Sequence, residues 1–281
     1  MTIVVGVDGS AASEHSLVWA LREGERRHAP VQLVHGWTYA IGGHVAVAET
    51  LELLALASQA LLDGVLASAR AAAPGLEISG LLVPRPPSAA LLDAAAADDA
   101  ELLVVGSRGH RSLSAFFIGS VADSCARHAS VPVAVIRPEA VEHAGGSIVV
   151  GVDGSEPSIA ALRWARAESA LRGVPVVAVH AWQDHYSTEL AVMAGVSDAT
   201  LEREANEVLT RAVDATATAG SSVTALIRRD LPGPALLEES ETARMVVVGS
   251  RGRGGFADLL LGSVSRRCVH EASCPVVVVR D

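Results

Sequence analysis

Hydrophobic residues along the chain fall into short unbroken runs separated by longer mixed stretches. Thr2–Val7, Val31–Trp37, Leu76–Val83, Glu101–Gly106 and Val131–Arg137 are aliphatic or β-branched runs of strand length. Continuous runs of this kind predict strands buried on both faces. Between them apolar residues recur at helical spacing. Ser13–Arg27 carries Leu17, Val18 and Leu21 and predicts a helix with Ser10 or Ser13 as its N-cap. Ala46–Ala73 predicts a long Ala/Leu helix ended by Pro74 and Gly75, and Pro86–Asp98 a helix entered through prolines. Gly119–Ala129 is the fourth helix. The alternation of strand and helix predicts an α/β domain, a parallel sheet covered by helices on both faces. In such sheets a ligand binds beyond the carboxyl ends of the strands, where the strand order reverses.

The pattern then starts again. IVVGVDGS at Ile3–Ser10 returns at Ile148–Ser155, and LVVGSRG at Leu103–Gly109 returns as VVVGSRG at Val246–Gly252. Gly119-Ser120-Val121 returns as Gly262-Ser263-Val264, LVHGW at Leu33–Trp37 as AVHAW at Ala178–Trp182, and Val131–Pro138 as Cys274–Asp281. Matches in one order and nearly one register mean duplication. They predict two domains, 1–140 and 147–281, joined through the short polar stretch Glu139–Gly146. A length of 281 residues agrees with that count.

Composition narrows the chemistry. Half of the residues are hydrophobic but only 3% are aromatic, so the cores must be built from Ala, Val, Leu and Ile. A net charge of −10 argues against nucleic acid as a partner, because phosphate neutralisation needs a basic surface. Every basic residue other than histidine is arginine, which rules out a Schiff-base or P-loop lysine. Three cysteines, Cys125, Cys268 and Cys274, and a start that reads as a strand rather than a leader point to a reducing cytoplasm. Cys125 and Cys268 occupy equivalent positions and read as small core hydrophobes. Apolar runs fall short of the roughly 18 residues that a membrane span requires, so no membrane is expected as a partner. The histidines show no ligand spacing, and no metal site is expected.

The strongest local signal follows the fourth strand of each repeat. Gly106, Gly109 and Gly119-Ser120 are spaced G-x2-G-x9-G-S, as are Gly249, Gly252 and Gly262-Ser263. Glycine lets backbone approach a phosphate closely, and a helix opening at the third glycine offers free N–H groups to an anion. A surface loop with ordinary turn glycines would explain one such spacing; two identical copies at a predicted sheet edge favour the phosphate site. His35 and His180, paired by the repeat, read either as buried strand-end residues or as part of a pocket. No histidine is tied by a motif to Asp8, so catalysis there has little support.

These motifs, DGS after the first strand, GSRG…GS after the fourth and the closing Pro-Val strand, resemble the universal stress protein family. The likeness covers essentially the whole chain, in the family's tandem form and with the glycine spacing of its ATP-binding branch. The resemblance implies two Rossmann-like domains of the adenine nucleotide alpha hydrolase type, each a five-stranded parallel sheet. It implies ATP in the cleft between strands one and four, with Mg2+ left open, and with AMP or cyclic AMP as alternatives. It also implies an intramolecular pseudo-dimer of the two domains, room for a further homodimer, and a protein partner of unknown identity. The function it implies is that of a cytoplasmic, nucleotide-linked regulator of stress response or growth with little or no turnover. The alternative is a nucleotide-hydrolysing or adenylyl-transferring enzyme of related fold, whose signature would be a catalytic His or Lys near the phosphates.

Carried over by position, Asp8 and Gly9, and Asp153 and Gly154, would face the nucleoside. The backbone at His35-Gly36 and His180-Ala181 would read the adenine edge. Gly106, Gly109, Gly119 and Ser120, and Gly249, Gly252, Gly262 and Ser263, would hold ribose and phosphates, followed by Val121 and Val264 on the next helix. The copies differ at three points: Ser265 against Ala122, Arg266 against Asp123 and Arg253 against His110. All three predict tighter triphosphate binding by the second copy.

Overall fold

The runs of Val, Ile and Leu form strands because they are covered on both sides. Ile3, Val4, Val5, Leu103, Val104, Ile148, Val150, Val246 and Val247 are all buried. Each buried side chain of this size contributes roughly 1.5–3 kcal/mol. A computed structural model describes residues 1–38, 48–97, 99–109, 119–182, 198–218, 222–253 and 261–280. The chain divides into two compact units, Met1–Pro138 and Glu139–Asp281.

The first unit runs β1 (Thr2–Gly6), α1 (Ala11–Arg27), β2 (Val31–Gly36), α2 (Ala48–Ala72), β3 (Ile78–Val83), α3 (Pro87–Ala95), β4 (Ala100–Gly106), α4 (Ser120–His128) and β5 (Val133–Ile136). Its strands lie in the order β3-β2-β1-β4-β5, every neighbour parallel. Helices α1 and α2 pack together on the sheet, and α3 packs with α4. The strand order reverses between β1 and β4, where the predicted cleft falls.

The second unit repeats the plan with β6 (Ile148–Gly151), α5 (Glu156–Arg172), β7 (Val176–Trp182), α6 (Asp198–Ala215), β8 (Val223–Arg229), α7 (Pro232–Ser240), β9 (Met245–Gly249), α8 (Ser263–Glu271) and β10 (Val276–Val279). Its order is β8-β7-β6-β9-β10, again parallel throughout. The reversal falls between β6 and β9.

Local chemistry sets the helix ends. Ser10 caps α1, its hydroxyl accepting from the Ser13 amide at 3.2 Å, and His28 closes the helix in the left-handed region. A buried glutamate recurs in each first helix. Glu23 is paired with Arg26 and Arg27, and Glu168 with Arg172 at 2.9 Å, so neither charge is left unpaired. Removing one partner of such a pair costs roughly 3–5 kcal/mol. Arg166 is also buried and donates to the Val213 carbonyl at 2.9 Å, capping the C-terminal end of α6.

One expectation needs correction. Thr50–Ala72 of α2 is long and apolar enough by length and composition to cross a bilayer, and most of that stretch is exposed or only partly covered. The run was not visible as such because Glu52, Asp63 and Arg70 interrupt it, while alanine and leucine keep its average hydropathy high. Helix α2 packs along β2 and β3, with Leu62 and Ala69 buried.

Candidate functional site

The DGS turn and the glycine loop of the second unit meet at one carboxylate. Asp153, at the end of β6, accepts at Oδ1 from the Ser155 amide at 2.9 Å and the Ser155 hydroxyl at 2.5 Å. At Oδ2 it accepts from the Arg253 amide, one hundred residues away in the loop, at 2.9 Å. Burial pushes the Asp153 carboxyl up, but the donors of Ser155, Arg253 and Ser158 together outweigh it and hold the pKa below its ordinary value. The group is a carboxylate at neutral pH. Asp8 makes the same turn in the first unit, accepting from the Ser10 amide at 2.9 Å and hydroxyl at 2.6 Å. Gly9 and Gly154 turn the chain at φ 77° and 80°.

This geometry gives the glycines separate reasons. A Cβ on residue 252 would collide with Asp153 Oδ2, and one on residue 109 would lie 2.6 Å from Asp8 Oδ2. The second glycine therefore makes room for the protein's own carboxylate. A Cβ at Gly249 would lie 2.7 Å from the Pro157 backbone, and at Gly106 2.9 Å from the Ala12 carbonyl, so the first glycine lets α5 or α1 approach. Gly262 is different: its nearest neighbour would be Arg251 Cα at 3.5 Å, an ordinary contact. Among the described residues nothing fills the space a side chain would take there. The Gly262 amide donates to the Ser250 carbonyl at 2.7 Å and closes the loop, as Gly119 does with Ser107. Gly262 and Gly119 then open α8 and α4 without a side-chain cap. The first-turn N–H groups are left without a capping side chain.

A cavity of about 430 Å³ opens beyond the carboxyl ends of β6, β7 and β9. That is in the range of small-molecule sites, roughly 300–1,000 Å³. Asp153, His180, Ala181, Gly249, Gly252, Arg253, Gly262, Ser263, Val264 and Ser265 all line it. Gly154 is outside the wall. Ser158, Pro232, Leu236 and Arg251 also line it and were not among the predicted residues. For Pro232 and Leu236 the available signal was the parallel between LPGPALL and RPPSAALL, which marks a helix entry but not its position over strand ends.

Of the three side-chain differences between copies, two do not offer the cavity the donor or charge that was expected. The Ser265 hydroxyl donates to the Gly249 carbonyl at 2.6 Å and is buried, so it ties α8 to β9 and has no proton left for a phosphate. Arg266 is exposed and off the cavity wall, and Asp123 is paired with Arg127 at 2.8 Å. His110 lies outside the described residues. Arg253 remains at the cavity, where a Cβ on Gly154 would come within 2.8 Å of its Nη2.

In the first unit Asp8, His35, Gly36, Gly106, Gly109, Gly119, Ser120 and Val121 occupy the equivalent strand ends and helix turn. The departure is at Gly36, where a Cβ would lie 2.6 Å from Pro87 Cα and 3.1 Å from the Arg85 carbonyl. The β3–α3 connection thus rests on the end of β2, a position where the second unit has the methyl group of Ala181. The two strand-end histidines bond alike: His35 Nδ1 is 2.7 Å from the Val7 carbonyl, and His180 Nδ1 is 2.6 Å from that of Val152.

Other chemistry is subdued. Cys125, Cys268 and Cys274 are buried, and burial pushes each thiol up to about 12, which keeps it protonated and inert. Among the described residues no cluster of three or more His, Cys, Asp or Glu could hold a metal ion.

Doubly wound parallel units, each with a DGS turn after its first strand and a glycine loop after its fourth, define a tandem Rossmann-like protein of a particular kind. The universal stress protein family model matches residues 1–137 and 146–280, and the chain belongs to that family as a tandem member. Universal stress protein Rv1996 of Mycobacterium tuberculosis is 33% identical over 308 residues, covering 99% of this chain and 94% of that protein. Universal stress protein Rv2623 of the same organism is 33% identical over 297 residues, covering 99% and 96%. A crystal structure of a universal stress protein from Archaeoglobus fulgidus DSM 4304 aligns with a TM-score of 0.73 at 20% identity, over 99% of this chain and 98% of that one. The two-repeat Rossmann-like fold read from the sequence is therefore the fold of this chain.

Proposed function

We propose that the chain is a nucleotide-linked regulator whose second unit binds an adenine nucleotide. ATP is the leading occupant, with Mg2+ left open, and AMP and cyclic AMP are its competitors. The observation that carries this reading is the cavity of about 430 Å³, walled by the glycine loop and opening onto the uncapped start of α8. The donor set fits such a ligand. Phosphates would meet the backbone N–H groups of Ser263 and Val264 beside Gly262, where the described residues leave a side chain's worth of space. Arg251 and Arg253 supply positive charge at the same wall, and Pro232 and Leu236 supply an apolar surface for a base. Asp153 keeps part of its acceptor capacity for ribose hydroxyls, since three donors occupy its two oxygens.

Little or no turnover is expected from these groups. Asp153 is held as a carboxylate below its ordinary pKa, which suits an acceptor better than a general base at neutral pH. The chain has no lysine to offset charge on a transferring phosphoryl group. Regulation would then follow from occupancy, the ligand favouring whichever conformation or partner contact it binds better. Mass spectrometry of small molecules released from freshly purified protein, followed by calorimetric titration with ATP, AMP and cyclic AMP, tests the reading. Recovery or binding of an adenine nucleotide is expected. Absence of binding by all three would refute it, and release of ADP or AMP at steady multiple turnover would favour the enzyme alternative.

A further inference from the structure

The outer ends of the two units differ in chemistry. In the first, the edge strand β3 (Ile78–Val83) carries no charged residue, and Thr50–Ala72 of the helix packed on it carries only Glu52, Asp63 and Arg70. In the second, the edge strand β8 ends in Arg228 and Arg229, and the outward positions of α6 include Glu202, Glu204, Glu207 and Arg211. Charge on an edge strand is a common way to keep a sheet from pairing with another chain. One copy of the duplicated fold has that protection and the other lacks it.

The backbone of β3 alternates between its neighbour and the outside. The Val31 amide donates to the Glu77 carbonyl at 2.9 Å and the Trp37 amide to that of Val83 at 3.0 Å, so Ile78, Gly80 and Leu82 turn their N–H and C=O outward. Arg70 of α2 reaches over this side, its Nη2 donating to the Ile78 carbonyl at 3.0 Å. The exposed residues Leu56, Ala60, Asp63, Ala67 and Arg70, spaced by four and three, form one row on the same side of the helix. Leu66, beside the middle of that row, lies against the strand: a Cβ on Gly80 would be 2.5 Å from its Cδ1.

We infer that this end of the first unit is an isologous interface with a second copy of the chain. A two-fold axis at Gly80 sets β3 antiparallel to its mate, Gly80 against Gly80 and Ile78 against Leu82, so that the outward groups of each strand meet those of the other. The same axis passes beside Leu66 and runs the two α2 helices antiparallel. Leu66 and Ala67 stand midway between Asp63 and Arg70 in sequence. Asp63 of each copy therefore faces Arg70 of the other, and the charges complement each other on both sides of the axis. Paired edge strands lie about 5 Å apart, and the helices above them must come within roughly 8–10 Å. The small side chains of Ala60 and Ala67 allow that approach.

An interface of one short strand and one helix lies at the small end of specific contacts, so association in the micromolar range is expected. Sedimentation velocity of the full chain, from about 1 to about 100 µM, should show monomer giving way to dimer. Asp63→Arg sets Arg against Arg across the axis, and Arg70→Asp sets Asp against Asp, so each variant alone should stay monomeric over that range. Mixed in equal amounts, the two should recover the dimer, since each supplies the charge that the other lacks. Ala67→Glu, at an exposed position where glutamate suits a helix, should abolish the dimer through bulk and like charge at the axis. A wild type that is monomeric throughout would overturn the assignment, whether or not it binds phosphatidylcholine vesicles. A dimer that Ala67→Glu leaves intact would overturn it by placing self-association on another surface. A mixture of the two charge variants that stays monomeric would overturn the antiparallel register and the assignment with it.

Discussion

The two units start from nearly the same motifs and diverge at the far end of the cleft. In the first, glycine at position 36 lets Arg85 and Pro87 settle on the end of β2. In the second, the Ala181 methyl stands where that glycine would be, and Pro232 and Leu236 line an open cavity of about 430 Å³. The second helices diverge as well. Helix α6 buries Ala205, Val208, Leu209 and Ala212 on one stripe and turns charged residues outward. Helix α2 leaves Leu51, Leu53, Leu54 and Leu56 exposed. Identical glycine spacing therefore does not mean identical sites. The loop supplies the phosphate end, and what distinguishes the copies is the strand end opposite it.

The largest expected effect sets one copy's third glycine against the other's. Gly262→Val should lower ATP affinity at least about a hundredfold, or about 2.7 kcal/mol, because its side chain fills the space left beside the α8 amides. Gly119→Val should change the total far less if the second unit carries the binding. Calorimetry on both variants measures the difference. Equal losses would show that the cleft of the first unit is as competent as that of the second, and the contrast at Gly36 would lose its meaning for binding.

The next effect is on stability. Gly36→Ala places a methyl 2.6 Å from Pro87 Cα, a backbone atom that cannot step aside alone. Overpacking of this kind costs roughly 1–3 kcal/mol. The mirror substitution, Ala181→Gly, creates no clash and should cost less than that, mostly through backbone entropy. Denaturant melts of the two variants check the asymmetry; a neutral Gly36→Ala would mean that the α3 entry lifts freely off β2.

A smaller effect concerns Asp153 and pH. Its folded pKa lies below the ordinary value, so the folded state holds that proton less readily than the unfolded chain. Its contribution is complete above the unfolded value and is lost as pH falls through the folded one. Asp153→Asn should therefore cost about 1 kcal/mol at neutral pH and progressively less in acid, as the wild type loses the same interactions. Urea melts from neutral to strongly acidic pH trace the two curves. Parallel curves would remove the carboxylate as the link between turn and loop.

Much of this was legible beforehand, and the remainder was hidden for physical reasons. Strand runs and glycine spacing are local patterns, and duplication doubled their signal. The partner of Gly252 is not local: Asp153 lies about a hundred residues away, and only folding shows that the glycine yields space to that carboxylate. The direction of the Ser265 hydroxyl was equally invisible. Its type suggested a phosphate donor, yet it donates instead to the Gly249 carbonyl at the end of β9. At the far end of the cleft the copies differ by one methyl group, Ala181 against Gly36, a difference that looks conservative until the α3 entry is seen lying on Gly36.

The smallest expected effect tests the helices. Leu53 is 67% exposed on α2, whereas the outward positions of α6 include Glu202, Glu204 and Glu207. Glutamate and leucine have similar helix propensity, and a side chain already in water has little burial to lose. Leu53→Glu, which gives α2 the outward chemistry of α6, should therefore change stability by no more than about 0.5 kcal/mol. Its neighbours Leu51, Leu54 and Leu56 keep the local row apolar, so the substitution tests one position without dismantling the row. Denaturant melts at two protein concentrations read both terms. A loss of about 2 kcal/mol, the size expected for a buried leucine, would show that Leu53 is covered in solution. A wild-type midpoint that rises with concentration, and a variant midpoint that does not, would identify the cover as another copy of the chain. Either outcome would turn the contrast between α2 and α6 from one of composition into one of burial.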